Sequence, residues 1–409
     1  MTAPGANTPF VAIACGGTGG HLFPGLAVAE QLTRRGGAVV LLISPKEVDQ
    51  QAVQSACGLE VVTLPAVALQ NRNYFSFAGS FLKSLFAARK VFRQRRPDAV
   101  LAMGGFTGAP PVLAAKISGA KTFLHESNTI PGRANRLLAR FVDEAFVGFP
   151  EAAARLKARQ VTATGTPVRP QFSAPQNPPG QNSVEPRIAC REALGLEPDR
   201  PTVLVVGGSQ GARGMNDMIL SALPLLAGKN WQWLHLAGAR DFEKVRIAYA
   251  AHRLKAVVKS FEAEMEQALG AATVAVSRAG ASSLAELAAM RLPALLVPFP
   301  AAAGNHQFYN ARALEATGAA RLLEQKGATR EQIAAAVTEL VENHTARVQM
   351  QAALAQWHAP HAAEQIAENI LNAVSRSADS LSARLPQNPQ GPTNRPRARE
   401  PEQKHFSVA

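Results

Sequence analysis

The sequence predicts an α/β protein made of two doubly wound, Rossmann-like domains facing each other across a cleft, and three observations lead there. Its 409 residues, 47% hydrophobic and 18% charged, exceed what one compact core usually encloses, so two domain-sized units are expected. Each half repeats a short β-branched run, a glycine-rich turn and an amphipathic helical stretch, the pattern of βα units around a parallel sheet. A Pro/Gln/Asn/Gly-rich segment at about 174–185 separates the halves, and a second polar, Pro-rich stretch follows residue 375. Domains are therefore expected over 9–170 and 200–359, joined by a linker over 171–199 and followed by a disordered basic tail over 376–409.

In the first half, residues 10–15 read as the opening strand, 21–35 as a helix, and 39–43, 99–103 and 122–125 as further strands. In the second, 202–206 opens, with 231–236, 257–261, 273–277 and 294–297 as later strands. A ligand site belongs beyond the carboxyl ends of such strands, in the cleft between the domains.

Composition narrows the function classes. Lys and Arg outnumber Asp and Glu by 43 to 30, a net +13 that favours phosphate-bearing partners: nucleotides, nucleic acid or anionic lipid. The three cysteines, Cys15, Cys57 and Cys190, are odd in number and far apart, which disfavours a disulfide framework or structural zinc and fits a reducing cytosol. No run of about 18 uncharged apolar residues occurs and the first ten residues do not resemble a signal peptide, so no spanning helix or leader is expected.

The chemistry-bearing motifs are glycine loops. After the first strand comes Gly16-Gly17-Thr18-Gly19-Gly20-His21, in which the glycines let the backbone turn sharply toward a ligand at the N-terminus of the following helix. It is neither a dinucleotide fingerprint, since Leu22 stands where the last glycine belongs, nor a P-loop, since no Gly-Lys-Ser/Thr follows. The second half opens in the same way at residues 207–213, with Asn216 one turn into its helix, and a third such turn runs through residues 278–283 into a helix expected over 284–290. Helix N-termini converging on one cleft suit a pyrophosphate. Glu286 admits two readings: the carboxylate of a Ser283–Glu286 capping box, or an acceptor for ribose hydroxyls.

Seven ordered motifs then carry a family resemblance: GGTGGHLFPGLAVAE at 16–30, GGFTGAPP at 104–111, HESN at 125–128, GTPVR at 165–169, GGSQGARGMN at 207–216, SRAGASSLAE at 277–286 and HQFYNA at 306–311. From about residue 10 to 375 the chain resembles the MurG family, the UDP-N-acetylglucosamine transferases of peptidoglycan synthesis. The resemblance implies a GT-B fold, with the N-terminal domain facing acceptor and membrane, the C-terminal domain holding UDP-GlcNAc, and a last helix at about 360–375 returning to complete the first domain. It places donor contacts on Thr18, Gly19, Gly20, Asn128, Arg169, Ser209, Ala281, Ser282, Ser283, Leu284, Ala285, Glu286 and Gln307. It tips Glu286 toward the ribose. Acceptor loops fall on Gly16 and Gly17 and on Gly104, Gly105, Thr107 and Gly108, whose amides suit a lipid pyrophosphate. A uracil pocket is implied near Phe261 and Glu262. Departures from the family pattern stand at Glu262, at Ser127 (usually Gln), at Thr166 (usually Asn) and at Gly304-Asn305, where an acidic pair often precedes the HQ dipeptide.

The reaction implied is an inverting transfer of GlcNAc to the 4-hydroxyl of a lipid-linked MurNAc-pentapeptide. His21, at the head of the first helix, is the candidate base, kept neutral by the helix N-terminus, or else it orients the acceptor by hydrogen bonding. His125 and Glu126 read as structural supports. No Asp-x-Asp occurs, so no metal or cofactor is expected. Residues 72–96 contain no acidic residue and mix Phe and Leu with Lys and Arg; 73–86 are the part expected to meet an anionic membrane surface, the rest serving as core. The expected setting is peripheral, on the cytoplasmic face of the inner membrane, with no nucleic-acid partner. A UDP-GlcNAc 2-epimerase would need carboxylates on both faces of the sugar, a basic binding protein leaves the glycine loops unexplained, and an oxidoreductase lacks the loop spacing.

Overall fold

The computed structural model describes residues 8–17, 19–46, 49–50, 53, 58–65, 74–172, 184–208 and 211–382. Thr18, Ser209, Cys57, Arg72 and Asn73, residues 173–183 of the expected linker and the expected tail beyond 382 lie outside them, whereas 376–382 continue the last helix rather than the tail.

β-Branched and aliphatic runs too apolar to face water on either side become the central parallel strands; β1 (Phe10–Ala14) is buried along its whole length. It is joined by β2 (Ala38–Ile43), β3 (Glu60–Thr63), β4 (Ala99–Ala102), β5 (Lys121–Glu126), β6 (Glu144–Val147) and β7 (Val161–Ala163) in a parallel sheet of order β3-β2-β1-β4-β5-β6-β7. A second parallel sheet contains β8 (Thr202–Val206), β9 (Gln232–Leu236), β10 (Ala256–Lys259), β11 (Val274–Ser277), β12 (Ala294–Leu296) and β13 (Arg321–Leu322) in the order β10-β9-β8-β11-β12-β13. The order reverses between β1 and β4 and again between β8 and β11. Those are the switch points where a doubly wound sheet opens a crevice at its carboxyl ends, and the glycine loops follow these four strands.

Alternate side chains of the first sheet feed two cores. On one face Val40, Val100 and Leu124 pack with Ala88 and Phe92 from the helix Tyr74–Gln94 and Val112 from Ala109–Ser118. On the other, Val11, Ile13 and Leu101 pack with Leu22, Val28 and Leu32 of the helix Gly19–Arg34 and with Ile366, Ala367 and Ile370 of the helix Ala362–Ser382. The last helix thus lies on the first sheet, and Arg35 ties it there through Glu364 (2.5 Å) and Glu368 (3.2 Å). The chain returns past Gly165, whose φ of 82° and lack of a side chain admit Ala359: a Cβ there would sit 2.3 Å from that of Ala359. Residues 184–193 form a helix, Val184–Ala193, packed on Met265–Ala271, with Arg191 donating to the Ala271 carbonyl at 2.9 Å and to Thr273 Oγ1 at 3.0 Å.

Candidate active site

The first glycine loop is held from behind. Gly16 abuts β2, where a Cβ would lie 2.3 Å from the Ser44 amide nitrogen. Gly17 donates its N–H to Asp49 Oδ2 at 2.6 Å, the Ser44 hydroxyl donates to the same oxygen, and Lys46 Nζ donates to the Gly17 carbonyl at 2.8 Å. Asp49 is wholly buried and its Oδ1 has no hydrogen-bond partner.

The second loop, after β4, lies against the first. Thr107 Oγ1 donates to the Gly16 carbonyl at 2.7 Å. Gly104 and Gly105, at φ 115° and 76°, lie over the His21 ring: a Cβ at either would come within 3.1 and 3.3 Å of its Nε2 and Cε1. Gly104 and Gly105 therefore lie against His21 and Thr107 connects their loop to Gly16 and Gly17, while Gly108 packs on Ala102. Gly19 and Gly20 form the first turn of the helix that carries His21. Burial is the main cause lowering the His21 pKa, Lys46 acts in the same direction, and the Glu126 and Asp49 carboxylates oppose. The leading cause is thus burial rather than the expected helix N-terminus.

Behind these loops sits a buried carboxylate. Glu126 Oε1 accepts from the N–H and Nδ2 of Asn128 (2.9 and 3.0 Å), and Oε2 accepts from the Gly132 N–H (3.0 Å) and Asn135 Nδ2 (2.8 Å). Asn135 Oδ1 in turn accepts the Gly105 N–H at 3.1 Å. His125 is buried with both nitrogens engaged, Nε2 by the Gly165 carbonyl and Nδ1 by Ser127 Oγ, and burial brings its pKa down to about 4. Both residues are supports.

Across the cleft, the helix after β11 begins at Ala281 and runs to Ala289, one turn earlier than expected, with Gly280 as N-cap and no side-chain cap. Ser283 lies inside its first turn, so the Ser283–Glu286 capping box does not form. The amides of Ala281, Ser282 and Ser283 point out of the helix end. Ala281 and Leu284 send their side chains into the core, leaving Ser282, Ser283, Ala285 and Glu286 half-buried. Burial pushes Glu286 up to about 7; Arg169 opposes and Glu266 adds to the rise. Arg169 stacks its guanidinium 4.4 Å above the Phe23 ring and 5.1 Å from Phe172, and its Nε is buried without a hydrogen-bond partner. The helices Gly19–Arg34 and Ala281–Ala289 are in contact, and Arg169 joins them, stacking on Phe23 of the first and lying within electrostatic range of Glu286 in the second.

Gln307 Oε1 accepts the N–H groups of Phe299 (2.9 Å) and Ala279 (3.3 Å), and Asn128 Oδ1 accepts from Asn310 Nδ2 at 3.0 Å. Phe261 is exposed, and the Glu262 carboxylate is held by Lys259 Nζ at 2.6 Å and the Glu264 N–H at 3.1 Å. Gly207 and Gly208 follow β8. Asn216 is turned inward, bonded to Ala237, Asp241 and His235. Sequence reasoning passed over Asp49, Asn135, Glu266 and Asn310. Only Asn310 lay in a motif already singled out, on the same helical face as Gln307 three residues earlier.

Two Rossmann-like domains, glycine loops at both switch points and an uncapped helix N-terminus beside a half-buried glutamate and an arginine define a two-domain glycosyltransferase of GT-B fold. Comparison agrees: residues 11–147 match the glycosyltransferase family 28 N-terminal domain and 202–366 its C-terminal domain. The chain is 37% identical over 371 residues to the UDP-N-acetylglucosamine–N-acetylmuramyl-(pentapeptide) pyrophosphoryl-undecaprenol N-acetylglucosamine transferase of Anaeromyxobacter sp. (strain Fw109-5), covering 89% of this chain and 93% of the relative. It is also 37% identical over 379 residues to the protein so named from Moorella thermoacetica, covering 89% and 99%. The crystal structure of Acinetobacter baumannii MurG superposes with a TM-score of 0.68 at 27% identity, over 90% of this chain and 100% of that one. A UDP-N-acetylglucosamine 2-epimerase structure shares the fold alone, at 13% identity and a TM-score of 0.64. The chain belongs to glycosyltransferase family 28, among the UDP-N-acetylglucosamine:N-acetylmuramyl-(pentapeptide) pyrophosphoryl-undecaprenol N-acetylglucosamine transferases.

Proposed function

We propose that this protein transfers GlcNAc from UDP-GlcNAc to the 4-hydroxyl of a MurNAc-pentapeptide carried on pyrophosphoryl-undecaprenol, with inversion at the anomeric carbon. The observation that carries this reading is that the helix bearing His21, beneath the Gly104–Gly105 loop, is in contact with the helix whose uncapped N-terminus is at Ala281. In the transfer the acceptor oxygen bonds to the anomeric carbon as the bond from that carbon to the diphosphate oxygen breaks. The hydroxyl proton passes to the His21 ring, which burial keeps neutral and able to accept it. UDP leaves with the bonding electrons. Its growing charge meets the amides of Ala281, Ser282 and Ser283 and the Arg169 guanidinium. Glu286 accepts from the ribose hydroxyls when ionised, Gln307 Nε2 and Asn128 serve the sugar, and Thr18, Gly19, Gly20 and Ser209 complete the donor contacts. Gly16, Gly17, Gly104, Gly105, Thr107 and Gly108 take the acceptor's pyrophosphate.

The helix Tyr74–Gln94 supports attachment to an anionic membrane surface rather than to nucleic acid. Its inner face, Ser84, Ala88 and Phe92, is core, whereas Phe75 (94% exposed), Leu82 (49%) and Phe86 (63%) form an outward stripe, with Lys83, Lys90 and Arg93 exposed beside it. Phe77 packs edge-on against Phe106, 5.2 Å between ring centroids, next to Thr107 of the acceptor loop. Among the described residues no helix is long and apolar enough to cross a membrane, which suits a peripheral protein on the cytoplasmic face. The test is product analysis with a lipid-linked MurNAc-pentapeptide and UDP-GlcNAc. A β-linked disaccharide on the lipid supports the reading; free sugar or an epimerised nucleotide sugar contradicts it.

A further inference from the structure

Asn310, on the helix His306–Ala316 of the second domain, is wholly buried and makes four hydrogen bonds through one carboxamide. Its Oδ1 accepts the Thr129 N–H and the Thr129 hydroxyl, each at 2.9 Å, and its Nδ2 donates to Asn128 Oδ1 at 3.0 Å and to the Ala279 carbonyl at 3.2 Å. Two donors face the oxygen and two acceptors face the nitrogen, so the amide fits in one orientation only. Asn128 and Thr129 follow β5 in the first domain; Ala279 precedes the helix Ala281–Ala289 in the second. From Asn128 the bonds continue through Glu126 and Asn135 to the Gly105 N–H, beside His21. A continuous buried polar chain therefore runs from the donor-side helix to the acceptor-side loop, through the one side chain that bonds to both domains within it.

We propose that Asn310 is a positioning residue that locks the two domains in register, fixing the separation between the donor held at Ala281 and the acceptor held at Gly105. This rests on the transferase reading above. Apolar contact between the helices holds the domains together without direction. Four bonds to one buried amide are directional, and transfer between two bound substrates is sensitive to displacements of about 1 Å. Asn310 thereby acts on turnover through its partners rather than on the affinity of the second domain for UDP.

The experiment compares wild type, Thr129→Val, Asn310→Leu and the double variant in three measurements: kcat at saturating donor and acceptor, Kd for UDP without acceptor, and thermal unfolding. Thr129→Val removes one donor from the side of the lock facing away from the second domain; kcat is expected to fall about fivefold, and about a hundredfold for Asn310→Leu, with UDP Kd within about twofold of wild type in both. The double variant should be no slower than Asn310→Leu, since both break the same connection. If Asn310→Leu does not fold, Thr129→Val still decides. A Thr129→Val protein with wild-type kcat, or an Asn310→Leu protein whose donor KM rises at unchanged kcat, overturns the proposal. A wild-type protein that releases no UDP with acceptor present removes the transferase reading and this inference with it, a result distinct from the loss of the lock alone.

Discussion

Arg169 stacks 4.4 Å above the ring of Phe23, so a residue on the first-domain helix that follows the glycine loop shapes the cation facing the donor side of the cleft. A desolvated cation–π contact contributes about 1–2 kcal/mol. Phe23→Ala is therefore expected to weaken UDP binding about tenfold and uridine binding hardly at all, because uridine lacks the diphosphate. Calorimetric titration with the two ligands checks this; equal losses for both would place Arg169 away from the phosphates.

Glu286 gives donor binding a pH dependence. Its value of about 7 means that the ionised form needed to accept ribose hydroxyls is the minority below that pH. UDP-GlcNAc affinity is expected to be full above about pH 8 and to fall toward about tenfold per unit below pH 7, with proton release on binding at pH 6. Glu286→Gln should bind weakly at all pH values.

The same shift has a stability consequence with a definite sign. A carboxyl whose folded value is raised opposes folding as pH climbs from its unfolded value, 4.5, to about 7, and by a constant amount above that. Glu286→Gln should thus melt at a higher temperature than wild type at pH 8 and at nearly the same temperature at pH 4.5. A lower melting temperature at pH 8 would show that the ionised carboxylate is stabilised by Arg169 more than burial opposes it.

His21 governs the acid limb of turnover. With its pKa lowered by burial, kcat at saturating donor should hold steady down to below pH 6.5 and then fall as the ring protonates. His21→Ala should lose about a hundredfold or more in kcat, together with that limb. If instead acceptor KM rises while the limb remains, His21 orients the acceptor and another group takes the proton.

Thr107 joins the two acceptor loops. Thr107→Val keeps the shape but removes the 2.7 Å bond to the Gly16 carbonyl, and acceptor KM is expected to rise about fivefold with donor KM unchanged. For the membrane face, Phe75→Ser with Phe86→Ser should release the protein from vesicles containing anionic lipid, measured by co-sedimentation, without changing UDP affinity.

Much of the fold is legible in local sequence because central parallel strands are continuous apolar runs and the switch-point turns demand glycine. The β1, β2, β8 and β11 segments stand in the sequence within a residue or so of their observed ends. Two of the edge strands are different. β3, Glu-Val-Val-Thr, is half-exposed, and β13 has two residues, so neither carries enough apolar signal to separate from loop. The helix at Ala281 starts early because Ala-Ser-Ser reads locally as a turn, while its amides gain nothing from Ser283 and remain open to the cleft. The polar supports are the least visible part: Gly17 and Asp49 are 32 residues apart, Asn310 and Thr129 181, and no local pattern records such partners.

The most direct test of the whole account is UDP release from UDP-GlcNAc, measured with and without a soluble lipid-linked MurNAc-pentapeptide analogue at saturating EDTA. The expected result is release that depends on the acceptor, persists in EDTA and disappears in both Glu286→Ala and His21→Ala. Release without acceptor, or none with it, would contradict the assignment of this cleft to glycosyl transfer.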